Sequence, residues 1–172
     1  MMSSAGTAGL QALVDNFPWS ALPSGSTIID LGGSQGHVSA FVAEAIPSLN
    51  FIVQDLPEVI SDVDATYKIP NSLTERVKLM DHSFFTEQPV KNIDIVLIRY
   101  IFHNWSDEYC IRILRNLIPG LKKGSRFVIQ DHLLPEPGSI PLAKERSLRC
   151  VLVLYFDMAF ADWFEGKWIF SC

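Results

Sequence analysis

Short apolar runs recur along the chain, each closed by a polar or glycine-rich turn, and stretches with helical spacing separate them. The runs at 27–31, 50–54, 76–80, 93–98 and 125–130 read as strands. The segments 36–46, 56–62, 106–118 and 141–156 read as helices. Ser106-Asp107-Glu108 makes a good first helical turn, with Ser106 as N-cap and two acids at the positive end of the dipole. Pro119-Gly120 and Lys123-Gly124 close that segment. Residues 1–26 read as a lead-in helix ending in the turn Pro23-Ser24-Gly25-Ser26. Regular alternation of strand and helix predicts an α/β fold of about five parallel strands, with helices on both faces. Ligands of such sheets sit outside the carboxyl ends of the strands.

Those carboxyl ends carry the chemistry. The run Ile28-Ile29-Asp30-Leu31 opens into Gly32-Gly33-Ser34-Gln35-Gly36-His37, and Asp55 follows Gly36 by 19 residues at the end of the next run. Glycines there let the backbone approach a ligand, and the second acid is placed to take a ribose diol. The spacing is not G-x-G-x-x-G, so a turn using glycine only for positive φ stands as the alternative. Asp30 is informative in either case. A carboxylate at this point repels a pyrophosphate and suits a cationic ligand, such as the amino acid end of S-adenosylmethionine.

Three further groups follow later strands. His103 lies in Arg99-Tyr100-Ile101-Phe102-His103-Asn104-Trp105-Ser106-Asp107-Glu108 and is a candidate general base, because imidazole titrates near neutrality. A histidine packed beside Trp105 and bonded to backbone is the alternative. Asp131 ends the fifth strand, from which it could reach His103 and fix its tautomer, or simply face solvent. Asp81-His82-Ser83-Phe84-Phe85 could meet a base ring through Asp81 and an aromatic, or form a turn with its phenylalanines in the core. His103 and Asp107 are spaced i, i+4, but no third ligand accompanies them and no metal is expected.

Composition narrows the class. The chain has 172 residues, 48% of them hydrophobic and 19% charged, which is globular in character and fits one domain. A net charge of −5 without a Lys/Arg cluster argues against a nucleic-acid partner. Residues 1–10 lack the pattern of a signal peptide, and the apolar stretch 150–156 is far short of a membrane span. Cys110, Cys150 and Cys172 form no CxxC pair, which points to reduced thiols in the cytosol.

From about Trp19 to Arg149 the chain resembles the S-adenosylmethionine-dependent O-methyltransferases of the plant caffeic-acid type, and most closely their fungal secondary-metabolism relatives. Four blocks carry the resemblance: residues 29–37, Val53-Gln54-Asp55-Leu56-Pro57-Glu58, residues 81–85, and His103-Asn104-Trp105-Ser106-Asp107-Glu108. The resemblance implies a Rossmann-like methyltransferase sheet. It implies that Gly32 and Gly36, with Asp30 beside them, cradle the methionine part of S-adenosylmethionine. Asp55 then takes the ribose, Asp81 sits by the adenine and Arg99 contacts the cofactor. His103 is the implied base, Asp131 orients it, and Asp162 stands at the position of a second catalytic acid. The implied substrate is a hydroxyl of a small aromatic metabolite, and the implied assembly is a homodimer or a partner supplying a helical region.

Three segments are expected: a lead-in over 1–26, the methyltransferase domain over 27–149 and a divergent tail over 150–172. Relative to the family pattern, the N-terminal helical region and the C-terminal hairpin are expected to be missing, as in a truncated or frame-altered product. The fifth strand is then expected to have an open edge. Two other readings remain at this point: a catalytically impaired remnant or binding subunit, and a cofactor-assisted enzyme that does not methylate.

Overall fold

The computed structural model describes residues 4–62, 67–133 and 150–157. Five parallel strands run β1 (Thr27–Leu31), β2 (Asn50–Asp55), β3 (Val77–Asp81), β4 (Ile93–Arg99) and β5 (Leu121–Leu133). A sixth, β6 (Cys150–Asp157), pairs antiparallel with β5 from Arg126 opposite Asp157 to Leu133 opposite Cys150. The order across the sheet is β3-β2-β1-β4-β5-β6. The chain thus winds outward from β1 in one direction and restarts from β4 in the other. The crevice between the carboxyl ends of β1 and β4 is the switch point where such sheets hold ligands.

Among the described residues four α-helices accompany the strands: α1 (Ser4–Asp15), α2 (His37–Ala45), α3 (Pro57–Ile60) and α4 (Asp107–Leu117). Side-chain alternation along the strands divides the interior in two. Ile28, Phe51, Val53, Ile95, Leu97 and Val128 join Leu10, Leu13 and the α2 residues Val38 and Val42. Ile29, Leu31, Val96, Ile98 and Phe127 face the other way, onto Ile113 and Leu117 of α4. Because β4 is covered on both faces, Ile95 to Ile98 form an unbroken apolar run, as parallel central strands require. Each such side chain contributes about 1.5–3 kcal/mol by leaving water.

The amino ends of the strands are tied together. Asp94 accepts from the Thr27 amide (2.9 Å) and pairs with Lys122 Nζ (2.7 Å), while Ser125 Oγ donates to the Ile93 carbonyl (2.6 Å). The register between β4 and β5 shifts here. The opposite, carboxyl end carries the acids and the glycine turn.

The helical reading of 141–156 is corrected over 150–156, where the chain is strand. Residues 141–149 lie outside those described. An apolar run with Val151 and Val153 suits a strand once β5 offers an edge. For the same reason the open edge expected at β5 does not exist, since β6 occupies it. Ser106 holds the N-cap backbone position of α4, but its hydroxyl makes no capping bond. No helix among the described residues is long and apolar enough to cross a membrane.

Candidate functional site

The glycine turn leaves β1 through Gly32, whose φ is 67°. A Cβ at this point would lie 2.5 Å from Ile101 Cδ1 and 3.7 Å from Phe84, so only glycine admits both the turn and its neighbours. The amides of Gly32 and Gly33 both reach the Gln54 carbonyl, at 2.7 and 3.2 Å. Gly36, at φ 80°, then opens α2. Ile101 belongs to the segment that carries His103, so the turn and the histidine segment are in contact.

Asp55 stands at the end of β2, opposite Asp81 in the pairing with β3. Its Oδ2 accepts from the Ser34 amide and its Oδ1 from the Leu56 amide, each at 2.8 Å. Two backbone donors therefore fix the carboxylate. A carboxylate has about four acceptor positions, so capacity remains for a vicinal diol. Asp81 is exposed at the end of the outer strand β3.

Asp30 is placed differently from expectation. It is 1% exposed, and its Oδ2 accepts from Ser39 Oγ of α2 at 2.7 Å. Burial pushes its carboxyl up to about 6. The Ser39 hydroxyl and the Arg99 charge oppose the shift, and Asp55 adds to it. Its side chain lies against Gly33 of the turn and is closed to solvent. Burial, joined by Arg99, holds the imidazole of His37 below its ordinary value.

On the other side of the switch point, β4 ends at Arg99, and Tyr100 adopts φ 55°. Positive φ at an aromatic residue costs on the order of 1–3 kcal/mol and occurs where surrounding structure enforces it. A single helical turn, Phe102–Asn104, follows and presents His103 to β5. His103 Nδ1 lies 2.6 Å from Asp131 Oδ1, and the His103 amide lies 3.3 Å from Asp131 Oδ2. The carboxylate thus grips both ring and backbone. With Nδ1–H donated to Asp131, the acceptor lone pair of the neutral ring resides on Nε2. His103 does not stack on Trp105. That indole packs instead with Phe84, Phe85 and Tyr109 at centroid distances of 4.7–5.9 Å. Phe84 and Phe85 are partly buried against the α4-side core.

Chemically, the strand ends offer a carboxylate with acceptor capacity to spare, a glycine turn and a carboxylate-oriented imidazole. Residues 7–158 match a family model described as the O-methyltransferase domain. The chain belongs to the O-methyltransferase domain family.

Relatives agree with the assignment. The chain is 43% identical over 159 residues to the grayanic acid biosynthesis cluster O-methyltransferase of Cladonia grayi, covering 92% of this chain and 34% of that protein. It thus spans about a third of that relative's length. Among solved structures, the methyltransferase CalO1 of calicheamicin biosynthesis, in its SAH-bound form, superposes with a TM-score of 0.64 at 25% identity. The match covers 83% of this chain and 41% of that one. A structure described as a pericyclic reaction enzyme gives a TM-score of 0.59 at 31% identity, over 80% of this chain and 34% of that one.

In this O-methyltransferase domain the strand ends bring together Gly32, Gly36, Asp55, Arg99, His103 and Asp131. Asp81 sits one strand further out, Asp30 lies beneath the turn, and Asp162 is outside the described residues. Sequence reasoning did not single out Ser39, Gln54, Gln88 or Gln130. Gln54 and Gln88 exchange reciprocal amide bonds of 2.9 and 2.8 Å beneath the turn, both fully buried. Gln54 and Gln130 each end an apolar run, and a polar residue within such a run is the signal that would have found them.

Proposed function

We propose that this domain is the catalytic part of an S-adenosylmethionine-dependent O-methyltransferase that acts on a hydroxyl of a small aromatic metabolite. The observation that carries the reading is the 2.6 Å contact of His103 Nδ1 with Asp131, on a segment that touches the glycine turn. The residues fit the cofactor. Gly32 leaves room where any side chain would clash, and the held carboxylate of Asp55 suits a ribose diol. Gly36, Asp81 and Arg99 complete the set that would hold it. S-adenosylmethionine bound there supplies an electrophilic methyl group on a sulfonium.

The chain's own part is proton management and placement. A phenol has a pKa of about 10, so its hydroxyl is protonated at neutral pH. Nε2 of His103 takes that proton. Asp131 keeps the ring in the required tautomer and stabilises the imidazolium that results. General-base assistance of this kind contributes about 100- to 10,000-fold. Holding the two reactants together contributes through orientation. A homodimer, or a partner with a helical region, would complete the substrate walls, and Asp162 would act as a second acid. The cysteine spacing favours action in the cytosol.

The test pairs methyl transfer from labelled S-adenosylmethionine over a panel of phenols with S-adenosylhomocysteine affinity. His103→Ala should lose at least about 100-fold in turnover and keep cofactor affinity within a few-fold. Asp131→Asn should lose less. Turnover of His103→Ala at the wild-type rate would overturn the base assignment. The likeness to the pericyclic reaction enzyme supports a second reading, in which the bound cofactor assists a reaction without methyl transfer. Wild-type protein that binds cofactor, converts substrate and moves no label would favour it.

A further inference from the structure

Gln130 is completely buried near the end of β5, one residue before Asp131, and both ends of its side chain are engaged. Its Oε1 accepts from Arg99 Nε at 2.6 Å, and its Nε2 donates to the Gly9 carbonyl of α1 at 3.0 Å. Its backbone carbonyl accepts from the amide of Tyr100, at 2.8 Å, the residue held at positive φ. One residue therefore joins β5, the end of β4 and α1. Alternation along β5 directs the side chain of Gln130 to the α1 side and that of Asp131 to the opposite side, where His103 lies.

Arg99 is the partner that bears on the site. Its guanidinium stacks over the Tyr100 ring at 4.2 Å. Its charge is felt by Asp30 below the turn and by His37 just after it. A guanidinium is a flat fork of five donors. Fixing Nε on Gln130 and one face on Tyr100 leaves the fork a single orientation. We propose that Gln130 is a positioning residue that aims Arg99 at the carboxylate of the cofactor's amino acid end. The inference rests on the cofactor reading given above.

The test uses two probes: S-adenosylhomocysteine, which carries the amino acid end, and 5′-methylthioadenosine, which lacks it. Gln130→Met removes both side-chain bonds. It should weaken S-adenosylhomocysteine about tenfold and leave 5′-methylthioadenosine unchanged. Gln130→Glu keeps an acceptor for Arg99 Nε and loses the donor to Gly9, so its S-adenosylhomocysteine affinity should stay within about threefold of wild type. If Gln130→Met does not fold, Arg99→Lys reports on the same bond, because lysine keeps the charge without the Nε–H. It should show the same split between probes.

Equal weakening of both probes in Gln130→Met would overturn the proposal in favour of a purely structural role. A Gln130→Glu protein as weak as Gln130→Met would overturn it in favour of the tie to α1. An Arg99→Lys protein with unchanged S-adenosylhomocysteine affinity would also overturn it. Wild-type protein that binds neither probe overturns the cofactor reading itself, and this assignment with it. Binding of 5′-methylthioadenosine alone by wild type overturns only the part played by Arg99 and Gln130.

Discussion

Asp30 and Asp55 are both acids at strand ends, yet they do opposite work. Asp55 has backbone donors on each oxygen and turns outward, whereas Asp30 turns inward onto Ser39. In the fold Asp30 keeps its proton up to about pH 6. In the unfolded chain it releases that proton near pH 4. The folded state therefore binds the extra proton between these values, and the contribution is fully present below about pH 4 and lost as pH rises through 6. The magnitude is on the order of 2–3 kcal/mol. Asp30→Asn, which preserves an acceptor for Ser39, should flatten the fall in stability from pH 4 to 6.5 seen in wild-type denaturant titrations. An identical slope in both proteins would show that Asp30 ionises freely. Under the proposed cofactor reading, replacing Asp55 acts on binding rather than on stability. Asp55→Ala should weaken S-adenosylhomocysteine at least about tenfold, by calorimetry, and Asp55→Asn should lose less, because it still accepts from one amide.

At the scale of elements, the glycine turn is the least forgiving piece. Gly32→Ala forces both an unfavourable φ and a clash with Ile101. The expected cost is about 1–3 kcal/mol in stability, with a matching loss of cofactor affinity. Adding Ile101→Val or Ile101→Ala should recover the steric part and leave the backbone part, which thermal melts of the three proteins would separate.

Much of this was legible in sequence, because each parallel strand announces itself as an apolar run with a polar stop. Asp55 and Asp131 sit at such stops, and His103 follows the stop of β4 on the next helical turn. The run 150–156 is ambiguous by pattern, because a continuous apolar stretch fits a buried helix and a buried strand equally by periodicity. Its β-branched Val151 and Val153 were the better guide. The inward turn of Asp30 was not legible, since it depends on Ser39, nine residues away on α2. Gln130 was hidden for a related reason: its partners are Arg99 and Gly9, which no local pattern joins to it.

Taken as a whole, the sheet is anchored at its amino ends and carries the candidate site at its carboxyl ends. Asp94 spans β1 and β5 at the anchored end, while at the other end His103 meets Asp131 of β5. The sixth strand has a part in this. Asp131 lies opposite Leu152 in the β5–β6 register, so β6 stiffens the strand that holds the carboxylate. Deleting residues 150–172 should strip that support and expose the β5 edge. The expected result is strong binding of a hydrophobic dye and a broad, weakly cooperative melt. A sharp transition with little dye binding would show that the parallel five strands suffice.

The bond from Gln130 to Gly9 spans 121 residues of chain. Contacts so distant in sequence form only after large loops have closed, and closing them is what slows the folding of parallel sheets. The last turn of the lock is therefore made when β5 arrives, long after α2 and α4 can have coiled. In stopped-flow refolding, the far-ultraviolet signal should recover first, and competence to bind S-adenosylhomocysteine should lag behind it. On the ribosome the same ordering means that a nascent chain ending before β5 has its helices but lacks both the Asp131 partner of His103 and the Gln130 tie to α1.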